Sequence, residues 1–291
     1  MKTPIISASS YSNTAPLIWS FLYGSMHGKY EIILDTAPAR SAELLAQDRV
    51  DAALVPVIAS QMIEGVKLIP DVCVGARERV RSVCLVTKGK DLSDVKSVSL
   101  DVSSKTSVVL TKIIFREFLG FEPEWVDAEP NLEAMLTNSD CALLIGDPAL
   151  VMSSEFRVQG SELNDLGNDH QSPITDHQLP ITNYRKFDLV ELWREFTGFG
   201  FVFAMWMTKR ENLDIDFSTA RDEGLEHIEE IISSYETEIP LAHEDFRNYL
   251  TEDISFSIDE SMRLGLELYF DLASKQGLIS EIRRLEFANL A

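Results

Sequence analysis

Short apolar runs alternate with amphipathic stretches along the first half of this chain, and that rhythm limits the possible folds more than any other feature. Ile5-Ile6-Ser7-Ala8 reads as a strand, Pro16 to Tyr23 as a helix and Tyr30 to Leu34 as a second strand. Ser41 to Asp48 follows as a helix with Ser41 as its N-cap, then Asp51 to Val57 as a strand and Ile58 to Glu64 as a short helix. Val72 to Ala76 and Ser82 to Thr87 are further strands. Strands connected through helices pack as layers, so the pattern predicts an α/β domain.

A charged, glycine-containing break at Lys88 to Asp94 precedes a second set of the same kind. Ser97 to Asp101 reads as a strand, Ser104 to Leu119 as a long helix and Pro123 to Val126 as a strand. Asn131 to Thr137 is a helix, Cys141 to Ile145 a buried strand, Phe187 to Phe196 a helix and Phe201 to Met207 a strand. Acidic amphipathic helices close the chain at Ser218 to Tyr235, Leu241 to Tyr249 and Ile258 to Gln276. A length of 291 residues suits two domains of this construction. The stretch 157–183 differs. Its tandem heptads, beginning at Asp169 and Asp176, carry prolines and threonines that favour a surface loop insertion over regular structure or a pair of histidine ligands.

Composition excludes several classes. The formal net charge of -21 repels phosphate backbones and anionic membrane surfaces, so neither nucleic acid nor membrane is an expected partner. A local anion site stays possible, because salt screens exposed charge beyond roughly 8–10 Å. Cys73, Cys84 and Cys141 are widely spaced within apolar runs and read as buried, reduced thiols. The five histidines show no metal-ligand spacing, so no metal is expected. The N-terminal stretch has a single Lys, Pro4 and a polar run from Ser7 to Asn13 in place of a continuous apolar core. With no run of about 18 apolar residues elsewhere, the expected location is the cytoplasm.

Ligands of open α/β sheets bind at the carboxyl ends of strands, and four segments there are candidates. Ser9 to Leu17 joins the first strand to the first helix. It holds Tyr11 and Asn13, although capping by Ser12 or Asn13 explains part of it. Ser103, Ser104, Thr106 and Ser107 crowd hydroxyls onto the start of the long helix, where unpaired N–H groups and the helix dipole favour an anion; a lone Ser103 N-cap needs only one of them. Arg77, Arg79 and Arg81 precede Ser82, and one of them is placed to meet a carboxylate or to pair with Glu78. Gly146 and Asp147 turn a buried strand into a helix, with Asp147 read either as a site residue or as an N-cap.

In order along the chain, the segments Ser10-Tyr-Ser-Asn-Thr-Ala-Pro-Leu17, Val50-Asp-Ala-Ala-Leu-Val-Pro-Val57, Arg81-Ser-Val-Cys-Leu-Val86, Asp101-Val-Ser-Ser-Lys-Thr-Ser107, Leu143-Leu-Ile-Gly-Asp-Pro-Ala-Leu150, Thr197-Gly-Phe-Gly-Phe-Val-Phe-Ala-Met-Trp206 and Tyr249-Leu-Thr-Glu-Asp-Ile254 resemble the chorismate dehydratase family of menaquinone biosynthesis. Ser12 stands where that family often has Leu, Lys105 where Arg is frequent, and 157–183 is longer than usual. The resemblance implies a two-lobed fold like the type II periplasmic binding proteins, with two crossover strands and a ligand cleft between the lobes. It divides the chain into one lobe of residues 1–90 and 203–291 and another of 91–202, with the break at Lys88 to Asp94 and the return near Thr197 to Phe203 as crossovers.

It also implies a cofactor-free enzyme of the futalosine route that converts chorismate to 3-[(1-carboxyvinyl)oxy]benzoate and water. In that case Asn13 is the candidate catalytic residue. Tyr11, Arg81, Ser82, Ser103, Ser104, Thr106, Ser107, Gly146 and Asp147 are the candidate substrate-binding residues. Two alternatives share the fold: a non-catalytic small-carboxylate-binding protein, and the sister enzyme that makes dihydroxynaphthoate later in the route. A ligand-sensing regulator is a further reading, against which stands the lack of a basic helix-turn-helix segment.

Overall fold

The computed structural model describes residues 3–152 and 184–290 and builds two five-stranded sheets. The first orders β2 (Glu31–Asp35), β1 (Ile5–Ser9), β3 (Ala52–Pro56), β10 (Phe201–Thr208) and β4 (Lys67–Ala76). The second orders β7 (Glu124–Ala128), β6 (Ser97–Asp101), β8 (Cys141–Ile145), β5 (Val83–Thr87) and β9 (Arg185–Asp188). Each sheet has three parallel strands followed by one that runs the other way, β10 in the first and β5 in the second. The two oppositely directed strands are the ones that follow the two passages of the chain from one sheet to the other. The arrangement is the expected α/β fold of two lobes.

Sheet membership corrects the sequence boundary at residue 90. Val83–Thr87 pairs with β8 and β9, so the chain changes sheets at 77–82, and Lys88 to Asp94 is a surface turn inside the second body. Charged, glycine-bearing composition marks an exposed turn and a linker alike, which is why the sequence pointed to the wrong one. The return runs through the helix Leu189–Thr197 into β10. The reading of 157–183 as an insertion lies outside the described residues.

Strands β3, β5 and β8 are buried along their whole length, as strands covered on both faces must be. One apolar core runs through both bodies, with Trp193, Trp206, Tyr249, Tyr269 and Phe115 among its wholly enclosed side chains. A smaller cluster around Cys84, Met135 and Leu144 fills the other face of the second sheet. All three cysteines are free and buried, and burial pushes the Cys73 thiol up to about 12 and that of Cys84 to about 11.

Two helices matter for function. Helix α1 (Ala15–Leu22) follows a tight turn at Ser12–Thr14 and carries Pro16 in its first turn. Its entry is held by the Thr14 hydroxyl, which donates to the carbonyls of Ser9 and Tyr11 at 2.7 and 2.8 Å. The helix Phe217–Glu226 crosses α1 so closely that a Cβ at Gly224 would stand 1.9 Å from the Pro16 carbonyl oxygen. Only glycine permits that approach, so Gly224 fixes where α1 begins. The helix Lys105–Ile113 is capped by Ser104, whose hydroxyl accepts from the Ser107 N–H at 3.3 Å; the cap is therefore not Ser103. The expected N-cap Ser41 lies inside the helix Pro38–Ala46, where it shares a hydrogen bond with Ser7. The single acidic helix expected over Ser218 to Tyr235 is two, broken at His227. No helix of the described residues is long and apolar enough to cross a membrane.

Candidate functional site

A cleft of about 570 Å³, open mouth included, separates the two bodies. The first body supplies Ser9, Tyr11, Asn13 and Thr14 from the β1–α1 loop, with Leu54 and Pro56 from β3. Ser104, Thr106 and Ser107 from the capped helix start, together with Ile145 and Gly146 from the end of β8, form the opposite wall. Apolar side chains near the crossings, including Val80, Val83 and Phe203, make the floor. Among the described residues no Asp, Glu, Lys, Arg or His lines this space. Its polar groups are neutral: hydroxyls, one carboxamide, and the N–H groups at the start of the helix Lys105–Ile113; at the start of α1 the Thr14 and Ala15 N–H groups are already bonded, to the Tyr11 and Ser12 carbonyls, and Pro16 has none. N–H groups at a helix start lack helical partners and carry the positive end of the dipole, so the start of the helix Lys105–Ile113 attracts an anion without a cation beside it.

Several contacts join the walls. The Tyr11 ring lies directly on Gly146, which has φ +66°; a Cβ there would come within 2.8–2.9 Å of three ring carbons. Ser12 is bound to Asp147 across the cleft, its N–H reaching both carboxylate oxygens at 3.2 Å and its hydroxyl donating at 2.6 Å. The Ile58 N–H donates to the Thr106 hydroxyl at 3.4 Å. Asp147 therefore joins the walls and does not line the cleft. Burial raises its carboxyl above the usual range, and the Ser12 hydrogen bonds act against that rise.

A family model described as menaquinone biosynthesis matches residues 4–275. A chorismate dehydratase of Thermus thermophilus is 30% identical over 275 residues, which covers 92% of this chain and 94% of the relative. The chain belongs to the chorismate dehydratase family. Solved structures similar to it include a protein from Archaeoglobus fulgidus (TM-score 0.64, 13% identity, covering 95% of this chain and 98% of that one). A Candida albicans protein described as having the generic periplasmic binding protein fold aligns with TM-score 0.62 and 12% identity, over 97% and 92% of the two chains. The aliphatic sulphonate binding protein of Escherichia coli aligns with TM-score 0.57 and 13% identity, over 98% and 93%. At these identities the structures speak for the fold alone.

Within this member of the family, the expected site residues divide. Tyr11, Asn13, Ser104, Thr106, Ser107 and Gly146 meet in the cleft. Arg81 does not. It is 5% exposed, and its guanidinium is bound by the Asp245 carboxylate at 2.7 Å, the Asp253 carboxylate at 3.2 Å and the Asp245 carbonyl at 3.3 Å. Arg79 and Arg77 are likewise paired, with Asp253 and Asp259. These acids lie more than 160 residues along the chain, so no local pattern reveals the pairing. The arginines hold the crossing in place. Asp188 adds to this by accepting the N–H groups of Val80 and Arg81.

Ser82 is wholly buried behind the cleft, where its carbonyl accepts the Gly146 N–H at 2.7 Å. Ser103 turns its hydroxyl onto Asp101 at 2.5 Å and does not line the cleft.

Two residues were not singled out from sequence. Tyr249 is fully buried, its hydroxyl standing beside Ser82 and Asn13 without a hydrogen bond of normal geometry to either. Burial drives that hydroxyl far up, so it remains neutral. Asp101 ends β6 with no solvent exposure, and its Oδ2 has no partner among the described residues, although the Ile145 main chain lies near. A larger hollow, lined by Leu68, Met205, Phe270 and Phe287 near the C-terminus, holds none of the expected site residues.

Proposed function

We propose that this chain dehydrates chorismate to 3-[(1-carboxyvinyl)oxy]benzoate and water in the futalosine route to menaquinone. The observation that carries the reading is the hydroxyl-rich start of the helix Lys105–Ile113, which faces the Asn13 loop across a cleft whose described lining is free of charged side chains. Chorismate has two carboxylates and a compact ring. The Ser104–Ser107 turn offers hydroxyls at a helix start to one carboxylate; the Asn13 amide and the Tyr11 hydroxyl on the opposite wall offer donors to the other. The apolar floor receives the ring.

Elimination removes the C3 proton and the C4 hydroxyl, and formation of the aromatic ring drives it. With no carboxylate or imidazole among the described lining residues, the proton acceptor is the substrate's own enolpyruvyl carboxylate, held in reach by the enzyme. The contacts between the walls exclude water from the reacting atoms. Incubating the pure protein with chorismate and a chelator, then identifying the product by mass, tests this. Loss of one water with aromatic absorbance is expected. Saturable binding without turnover refutes the reading in favour of a non-catalytic binding protein.

A further inference from the structure

The helix start that faces the ligand is held from behind by the first body. Thr106, in the first turn of the helix Lys105–Ile113, is buried and lines the cleft. Two groups of the first body converge on it. The Ile58 N–H donates to the Thr106 hydroxyl oxygen at 3.4 Å, and the Tyr269 hydroxyl donates to the Thr106 carbonyl at 3.1 Å. Tyr269 is wholly buried on the helix Glu260–Lys275. That helix is seated on the start of β10. Its Ser261 hydroxyl accepts the Gly200 N–H at 3.0 Å, and a Cβ at Gly265 would stand 2.2 Å from the Gly200 carbonyl oxygen. The Tyr269 ring meets Phe201 edge-on at 5.1 Å. Tyr269 therefore moves with the first body while its hydroxyl grips the second.

The Tyr269 bond is additional to the helix. A helical carbonyl already takes the N–H four residues on, so the phenol is a second donor to a satisfied group. Phenylalanine would fill the same space without burying a hydroxyl. Ile58 is the reverse case: its buried N–H has the Thr106 hydroxyl as its one hydrogen-bond partner among the described residues. The Thr106 hydroxyl thus accepts from Ile58, and its own proton has no acceptor among the described residues. The space before it is the cleft.

We propose that Tyr269 is a positioning residue for the carboxylate site. From the first body it fixes the first turn of the helix Lys105–Ile113, so that Thr106 keeps its bond to Ile58 and turns its proton toward the ligand. The proposal rests on the dehydration reading above, which puts a substrate carboxylate at this helix start. Both bonds cross between the bodies, so they exist only while the walls are together, and the hydroxyl is aimed only then. A carboxylate that takes the Thr106 proton strengthens the Ile58 bond in turn, because hydrogen bonds in a chain polarise one another. Ligand binding and closure then support each other at one residue that carries no charge.

Amide hydrogen exchange in the ligand-free protein tests this without chorismate. In Tyr269→Phe the Ile58 amide should exchange about three- to tenfold faster than in wild type, with little change at Leu54 in β3. Equal acceleration at both amides marks a loss of general stability and overturns the proposal, as does no change at Ile58. Calorimetric titration with chorismate supplies the second arm. Kd should rise about three- to tenfold in Tyr269→Phe and about ten- to a hundredfold in Thr106→Val, and Thr106→Ser should recover most of the affinity. The Tyr269→Phe/Thr106→Val pair should lose no more than Thr106→Val alone; additive losses overturn a route through Thr106. In turnover, KM should follow Kd while kcat changes less than about twofold. A fall in kcat at constant KM overturns the positioning role. A wild type that binds chorismate without turning it over refutes the dehydration reading alone. Unchanged Ile58 exchange in a Tyr269→Phe protein refutes the positioning role alone.

Discussion

Replacing Gly146 by Ala separates closure of the cleft from stability of the fold. Two costs arise, at different places. The first is local: at φ +66° an L-residue is strained by roughly 1–2 kcal/mol, which the second body bears whether or not the cleft is closed. The second exists only when the walls meet. The new Cβ would stand 2.8 Å from the nearest Tyr11 ring carbon, against an ordinary carbon contact of about 3.5 Å, so the ring must retreat by about 0.7 Å. Overpacking of this kind costs roughly 1–3 kcal/mol, or about a five- to 150-fold loss of affinity for a ligand held between the walls. Thermal unfolding should register the first cost as a fall of about 2–8 °C in Tm. Calorimetric titration with chorismate, or KM, should register the second. Adding Tyr11→Ala removes the clash and leaves the strain, so the double variant should regain whatever affinity the clash removed while keeping the lowered Tm. Wild-type affinity in Gly146→Ala refutes the idea that the walls meet at this contact during binding. A double variant no better than the product of the singles refutes the clash as its cause.

Asn13→Ala should lower kcat and Ser104→Ala should mainly raise KM, each about ten- to a hundredfold, because a lost hydrogen bond to a charged group is worth roughly 1.5–3 kcal/mol; steady-state kinetics decides, and unchanged values move the site elsewhere. Asp147→Ala removes the acceptor of the Ser12 bonds, so small-angle scattering should show a larger radius of gyration for the ligand-free protein, restored by saturating chorismate. An unchanged radius denies those bonds a part in closure. The buried carboxyl of Asp101 sits above its ordinary value of 3.8, and the sign follows from linkage: its stabilising contribution is complete below the unfolded value and is lost as pH rises through the folded one. Wild-type Tm should therefore fall relative to Asp101→Asn over that rise, as followed by calorimetry in matched buffers. A constant difference refutes the assignment.

The parts of this fold that were legible are those with local causes. Strands such as Cys141–Ile145 announce themselves by unbroken apolar runs, and the Ser104–Ser107 hydroxyls by their place between a strand and a helix. Misplaced features depend on partners far along the chain. Arg81 looked free because Asp245 and Asp253 come from the C-terminal helices. Val83–Thr87 looked like part of the first body because its pairing with β8 and β9 is invisible from its own residues. Asp101 stood at the head of a quoted motif and passed for its lead-in; its burial comes from its place at the end of β6, where Val98, Ser99 and Leu100 before it are buried too, and that is a tertiary fact which the alternating Ser-Val-Ser-Leu pattern does not announce.

The dianionic substrate proposed for a chain with a formal charge of -21 invites the expectation of arginines in the cleft, yet the arginines nearest the crossing face the other way. The physical reason lies in what each kind of group does to a reaction. A guanidinium grips a carboxylate equally in ground and transition states, so it tightens binding without speeding the chemical step. Burying an unpaired cation in a dry cleft also carries a desolvation penalty of several kcal/mol. Fixed N–H groups and hydroxyls carry no net charge, need little desolvation, and keep their direction as charge moves from the breaking C–O bond. Their orientation must then be guaranteed by something else. Arg81 contributes to it by locking 77–82 to the C-terminal helices through Asp245 and Asp253, which places Ser82 where its carbonyl holds the Gly146 N–H. In this molecule the cations would act on the proposed anion site at one remove, by holding the neutral donors in place.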